Sequence, residues 1–106
     1  MIKRLTQWTQ RPELTREEAL RHWKEDHARL VVRMPGVVRY VQNVCVAGPE
    51  GVEPPYAGLG EVWFETLDSA QAALASSEWK SVLDDAATFM DMGAISAAWA
   101  SEHTVR

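Results

Sequence analysis

The sequence has little of several features that would point to particular classes of protein. A single cysteine, Cys45, excludes an internal disulfide and favours a cytoplasmic location. The chain has no run of Lys and Arg and a formal net charge of −4, whereas binding of nucleic acid phosphates needs a basic surface. No apolar run is long enough to cross a membrane, and no N-terminal secretion signal is recognisable. We therefore expect a cytoplasmic protein that binds neither nucleic acid nor membrane.

What the chain does have is the composition of one ordinary globular domain. Its 106 residues are 46% hydrophobic and 25% charged, so we treat residues 1–106 as a single domain. Five tryptophans are many for this length. Because each large aromatic side chain buries much surface, they indicate a ligand pocket or a subunit interface in addition to the core.

The first helix is the best-defined element of the sequence. Thr15 followed by Glu18 forms a capping-box pattern, and Pro35-Gly36 ends an amphipathic pattern that runs to Met34. At about 100° per residue, the apolar side chains of this segment lie in one stripe around Trp23.

Two histidines of this helix have different predicted positions. His27 falls about 40° from Trp23, near the centre of the apolar stripe, whereas His22 falls about 100° away on the polar side, as solvated surface. The two rings are then about 140° apart, so we expect no shared metal ion. A neutral imidazole on an apolar face suits a general acid/base, but it also suits a core histidine bonded to a carbonyl or carboxylate.

The remaining pattern predicts four strands and a second, broken helical region. The helical region covers residues 67–90, with a break near Ser76-Ser77. The strands are predicted at residues 2–8, 37–47, 59–65 and 94–103. This order, βαββαβ, is the ferredoxin-like α+β pattern, a four-stranded antiparallel sheet with the helices on one face.

The other face of that sheet has no helices to cover it. We expect Val37, Val41, Trp63 and one set of side chains of the last strand to be exposed there. An exposed apolar sheet face predicts a homodimer in which two sheets pack against each other.

One long segment resembles a known family. The run RPELTREEALRHWKEDHARLVVRMPGVVRYVQN, with its RP-x-L-T, EE, HW-x-x-x-H, PG and RYVQN motifs, is similar to the first half of EthD proteins, and residues 54–85 agree more loosely. The resemblance implies a dimeric α+β barrel with a pocket in each subunit. Members usually have Tyr-Asp-Gly before the third strand. Here Ala57 replaces the aspartate, so any role of that acid is not carried over.

The resemblance also implies roles for two residues. It places His27 and Tyr40 in the pocket, where His27 would be the general acid/base and Tyr40 would polarise or orient a carbonyl oxygen. Tyr40 could equally be an aromatic packing residue. Candidate substrate-binding residues are Trp8, Trp23, Asn43, Trp63, Phe64 and Phe89. For the aromatic residues the alternative is plain core or dimer interface, and for Asn43 an outward-pointing side chain.

Three functions fit this pattern. The first is an enzyme with no metal or other cofactor that isomerises, cyclises or dehydrates a small cyclic or aromatic carbonyl compound. The second is a non-catalytic protein that binds a small apolar or aromatic molecule for an oxygenase pathway. The third is a cofactor-free monooxygenase. The resemblance specifies the fold more closely than the reaction, because related folds carry different chemistries.

Overall fold

The computed structural model describes residues 1–106 and contains the elements in the predicted order. The strands are β1 (Ile2–Trp8), β2 (Arg39–Val44), β3 (Gly58–Phe64) and β4 (Ser96–Ala100). The helices are α1 (Arg16–His22), α2 (Ala28–Val31), α3 (Leu67–Leu74) and α4 (Ser77–Ala86). A π turn (Trp23–His27) joins α1 to α2, and a 3-10 turn (Met92–Ala94) precedes β4.

The predicted start of the first helix is confirmed. The Thr15 hydroxyl accepts a hydrogen bond from the Glu18 backbone N–H, and the Glu18 carboxylate accepts one from the Thr15 N–H. The break in the second helical region is also confirmed, because Ser76 caps a new helix through the Trp79 N–H. Strands β2 and β4 are shorter than predicted, since their outer residues lie beyond the ladders of their neighbours.

The four strands form one antiparallel sheet in the order β2-β3-β1-β4, which is the ferredoxin-like arrangement. The helices lie on one face of this sheet. Two apolar clusters fill the space between the layers, one around Trp8 and Trp23 and the other around Phe64 and Met34. Trp8 contacts Trp23 and Phe89 edge to face, with ring centroids 5.2 and 5.3 Å apart.

The face of the sheet opposite the helices differs from the prediction in two places. Val37 does not lie on this open face, because its side chain precedes β2 and packs against the Phe64 cluster on the helix side. Trp63 does lie on the open face, but it is only 7% exposed. Lys3 and Arg39 lie over the Trp63 ring at 4.9 and 4.7 Å, and its Nε1–H donates to Glu102 at 3.0 Å. Charged side chains of the same chain therefore cover the tryptophan expected to be bare.

The long loop before β3 is attached to α1 and to β1. The Arg16 guanidinium donates to the backbone carbonyls of Cys45 and Tyr56, at the two ends of the loop. Ala57, at the position where EthD proteins usually have an acid, is 1% exposed and packs in the Trp8 cluster. Its N–H donates to the Trp8 carbonyl at 2.9 Å. No helix of the structure has the length and apolar character needed to cross a bilayer.

Candidate active site

A cavity of about 270 Å³ lies between the helices and the sheet. Its wall is mostly apolar, with side chains from β1, β3, the π turn, α2 and α4. The groups that carry polar atoms are few: Arg4, Thr6, His27 and Tyr40, apart from the indole N–H groups. An apolar pocket with a small number of polar groups is the usual form of a small-molecule site.

His27 is the titratable ring of this cavity and is 4% exposed. Its Nδ1 lies 2.8 Å from Oδ2 of Asp85 on α4. The carboxylate can only accept, so Nδ1 carries a hydrogen and Nε2 has the free lone pair of the neutral ring. Nε2 has no hydrogen-bond partner in the protein and is not fully buried. His27 is thus held as a base whose free nitrogen is available to a ligand.

Asp85 also contacts His22, which corrects the prediction that His22 is solvated surface. His22 Nε2 lies 2.9 Å from Oδ1 of Asp85, and His22 Nδ1 lies 3.4 Å from Asp26. One carboxylate therefore joins the cavity histidine to a second, part-buried histidine.

The π turn explains why the predicted angle of 140° between the two histidines was wrong. The Ala28 N–H bonds the Trp23 carbonyl five residues earlier, so this turn holds one more residue than an α-helical turn. Residues five apart then lie nearly one above the other, and both His22 and His27 reach Asp85. Such π turns are frequent at functional sites.

Tyr40 of β2 contributes a phenol to the cavity, and its pKa is raised to about 12 by burial, against the opposing effect of Gln42. The Gln42 side-chain N–H₂ donates to the phenol oxygen at 3.0 Å and to the Trp23 carbonyl at 2.8 Å. The phenol is therefore protonated at neutral pH, and Gln42 leaves its O–H free to donate to a ligand oxygen.

The structure brings together only some of the predicted site residues. His27, Tyr40, Trp8, Trp23 and Phe64 line the cavity. Phe89 lies behind it instead, with its ring against Trp8, His22 and His27.

The other two predicted binding residues lie on the far face of the sheet. Asn43 donates to the Leu59 carbonyl at 3.0 Å and to Glu61 at 3.1 Å, and Trp63 is held between Lys3 and Arg39. They point away from the cavity because successive side chains of a strand alternate between its faces. Neither residue contributes to the cavity wall of this chain.

The sequence pattern did not predict two residues that shape the site, Asp85 and Gln42. Asp85 lies one residue before Ala86 and three after Val82, both buried, so it borders the apolar stripe of α4. An acidic residue beside the apolar stripe of α4, the helix that packs against the helical segment of His27, is the sequence signal from which Asp85 could have been predicted. Gln42 had no comparable signal, because its role depends on the Trp23 carbonyl that the π turn presents.

No group of three or more His, Cys, Asp or Glu side chains has a geometry suited to hold a metal ion. The Asp85 carboxylate instead forms a direct hydrogen bond with each of the two histidines, His22 and His27.

Burial lowers the pKa of His27 below its ordinary value of 6.5, and the hydrogen bond with Asp85 opposes this effect. The unfolded chain then binds a proton on His27 at a pH where the folded protein does not. The free energy of unfolding should therefore fall as the pH drops below about 6.5, until the pH reaches the folded pKa of His27. Urea denaturation between pH 5 and 8 would measure this slope.

The matched variants for this measurement are His27→Gln and His103→Gln. The first should lose the His27 part of the slope, and the second, at an exposed residue near the end of the chain, should keep it. Carboxyl groups with a lowered pKa, such as Glu61, change their charge mainly below pH 5, and they contribute equally to the wild type and to both variants. An unchanged slope in His27→Gln would show that His27 has the same pKa in both states.

The fold and the cavity define a small ferredoxin-like α+β protein with an apolar cavity and a histidine–aspartate pair in its wall. A model of the EthD domain matches residues 11–93. Since this is most of the chain, the protein belongs to the EthD family, which confirms the resemblance seen in the sequence.

Three known proteins show how far this similarity extends. The chain is 30% identical over 84 residues to an uncharacterized 11.0 kDa protein of the thcB-thcC intergenic region of Rhodococcus erythropolis, covering 79% of this chain and 80% of the relative. A crystal structure of an EthD family protein from Bacillus halodurans is similar with a TM-score of 0.81 and 23% identity, covering 97% of this chain and 100% of the other. SnoaB, a cofactor-independent oxygenase from Streptomyces nogalater, has a TM-score of 0.68 and 12% identity, covering 98% and 94%.

Proposed function

We propose that this protein is a small enzyme that moves a proton on a cyclic or aromatic carbonyl compound, without a metal or other cofactor. The reaction would be an isomerisation, a cyclisation or a dehydration. The observation that carries the proposal is His27, whose Nδ1 bonds Asp85 while its ring lines an apolar cavity together with the Tyr40 phenol.

The proposed chemistry uses three side chains. Tyr40 donates a hydrogen bond to the carbonyl oxygen, which stabilises negative charge that develops there. His27 Nε2 takes a proton from the carbon next to the carbonyl, so a C–H bond breaks and an enolate forms. Asp85 stabilises the resulting imidazolium. The imidazolium then returns the proton to a different carbon in an isomerisation, or gives it to a leaving hydroxyl in a dehydration.

The size of the cavity limits the ligand. An engineered apolar cavity of roughly 150 Å³ holds benzene in another protein. The cavity of about 270 Å³ found here therefore suits one substituted ring or two fused rings. Its apolar lining would also keep water away from the enolate and strengthen the hydrogen bond from Tyr40.

The proposal includes a cytoplasmic homodimer formed through the open sheet face. Leu5, Val41 and Leu59 alternate with cavity-facing residues along their strands and are half-buried in the single chain. Family membership favours this assembly, and so do these three apolar side chains on the open face. Light scattering after size-exclusion chromatography should give about twice the mass of the 11.9 kDa chain.

Two other functions would use the same cavity. A cofactor-independent oxygenase is favoured by the fold shared with SnoaB and by the buried base, since removal of a proton from a phenol gives a phenolate and from a ketone an enolate, and the electron-rich carbon of either anion can react with oxygen. A protein that only binds its ligand would need the cavity and Tyr40 but no proton transfer. One experiment separates these functions.

The test is exchange of carbon-bound protons in D₂O with 2-indanone and 2-tetralone, two-ring ketones with acidic hydrogens beside the carbonyl. We expect the wild-type protein to accelerate loss of the ¹H NMR signal of these hydrogens above the rate in buffer. An oxygen electrode on the same samples should show no consumption. Binding without exchange would favour the binding protein, and oxygen consumption would favour the oxygenase. Either result would contradict the proposed function.

A further inference from the structure

Arg4 is a charged side chain in the wall of the cavity, and nothing in the proton-transfer chemistry uses it. It lies in the middle of β1, on the same face of the sheet as Thr6 and Trp8. The adjacent Lys3 points to the other face and bonds Glu61 at 2.8 Å. Two neighbouring cations of one strand therefore face opposite sides of the sheet.

Only the cation on the open face has an acidic partner. No carboxylate of the chain forms an ion pair with Arg4, although the protein has more acidic than basic residues. The Arg4 guanidinium makes one hydrogen bond to a protein side chain, from Nη1 to the Thr6 hydroxyl at 2.9 Å. The guanidinium also lies 5.1 Å from the Trp79 ring centre, which is a cation–π distance.

This arrangement leaves most of the guanidinium donors without an acceptor from the protein. An arginine side chain has five N–H donors in a planar fork, and one of them is used by Thr6. Burial lowers the pKa of Arg4 because the charge is partly removed from water, yet arginine stays protonated at neutral pH. A part-buried charge without a counterion is unfavourable unless something else supplies the negative charge.

We propose that Arg4 binds a carboxylate of the ligand, so that the substrates of this cavity are cyclic or aromatic carbonyl compounds that also bear an acid group. Thr6 and Trp79 hold the guanidinium in place, and its planar fork matches the two oxygens of a carboxylate. A single cation balances a single carboxylate, whereas a phosphate dianion would need more positive charge than the cavity wall contains. The proposal rests on the proposed function in one respect, namely that the cavity is the ligand site.

The test compares an acid with its nearly isosteric amide. The Kd values of 2-naphthoate and 2-naphthamide, and of benzoate and benzamide, would be measured by calorimetry at pH 8, where His27 is neutral. The wild-type protein should bind each acid roughly 10- to 100-fold more tightly than its amide, the range expected for hydrogen bonds to a charged group. Arg4→Gln should bring this ratio close to one and leave the affinity for the amide unchanged.

Arg39→Gln is the matched control. Arg39 also lies over a tryptophan ring, at 4.7 Å from Trp63, but on the open face of the sheet. This variant should keep the preference for the acid. If Arg4→Gln does not fold, Arg4→Lys decides the question, because it keeps the charge but loses the fork and should reduce the ratio several-fold.

Three results would overturn the assignment: equal binding of acid and amide by the wild-type protein, binding of neither probe from either pair, or an unchanged ratio in the folded Arg4 variants. His27→Gln separates this proposal from the proposed function. It should retain the preference for acids, since His27 is not the anion-binding group. A preference for acids without any proton exchange would support the Arg4 site and contradict the acid/base function.

Discussion

Replacing His27 with glutamine should slow proton exchange of a ketone bound in the cavity by about 10²- to 10⁴-fold, the usual contribution of a positioned general base. Glutamine has a side chain of similar reach and can still hydrogen-bond Asp85, but it does not take a proton. Because His27 is the one imidazole in the cavity wall, no other side chain there offers a basic ring nitrogen. Initial exchange rates with 2-indanone, measured by ¹H NMR at saturating ketone, would give the loss directly.

The companion variant for this experiment is Asp85→Asn. An amide can donate to Nδ1 and thereby favour the tautomer with the hydrogen on Nε2, where it blocks the base. We expect a smaller loss than in His27→Gln and a changed pH dependence of the rate, since Asp85 acts through the histidine. His103→Gln should exchange the ketone at the wild-type rate. Equal rates for wild type and His27→Gln would rule out His27 as the base.

Replacing Gly58 with alanine should lower the free energy of unfolding by about 1–3 kcal/mol, the range for overfilled cores. A methyl group at Gly58 would lie 2.6 Å from Trp8 Nε1 and 2.7 Å from two carbons of the Trp23 ring. Both indoles are 1% exposed and belong to the same packed cluster, so neither can move aside freely. Urea denaturation monitored by circular dichroism would measure the change.

Gly60→Ala is the control for this prediction, because Gly60 lies on the same strand and the same face. A methyl group there would meet Trp23 at 3.6 Å and Tyr40 at 3.7 Å, which are ordinary contacts. This variant should be about as stable as the wild type, or slightly more stable, since alanine loses less chain entropy than glycine on folding. Equal stability of the two alanine variants would show that the Trp8–Trp23 packing adapts to the added methyl group.

The fold was predictable because its signals are local. The capping box of Thr15 and Glu18, the interruption at Ser76-Ser77 and the strand patterns each depend on a few neighbouring residues, and the βαββαβ order follows from them. The position of His27 on an apolar stripe was visible for the same reason. Val37 was assigned to the wrong face because it was counted as part of β2, whose regular alternation starts only at Arg39.

The candidate site was only partly predictable, because its key contacts join distant parts of the chain. Asp85 is 58 residues from His27, and a helical pattern shows which face is buried but not which residue faces it. The cover over Trp63 depends on Glu102, 39 residues further on, and on cations from two other strands. The extra residue of the π turn could not be predicted from the helical pattern, because that pattern assumes the same angle for every residue.

That extra residue makes the segment adjustable in length as well as in composition. Lys24, Glu25 and Asp26 are exposed, so most substitutions there should be tolerated. Deletion of one of them would close the π turn to an α-helical turn, in which His22 and His27 are about four residues apart and lie about 40° from each other. Both imidazoles could then still face Asp85. Insertion of a further residue would instead rotate the two ends of the helix by about 100° relative to each other, so that only one imidazole reaches Asp85. We therefore expect functional variants of this protein to change freely in sequence at these three positions, and to lose one of these residues more readily than to gain one.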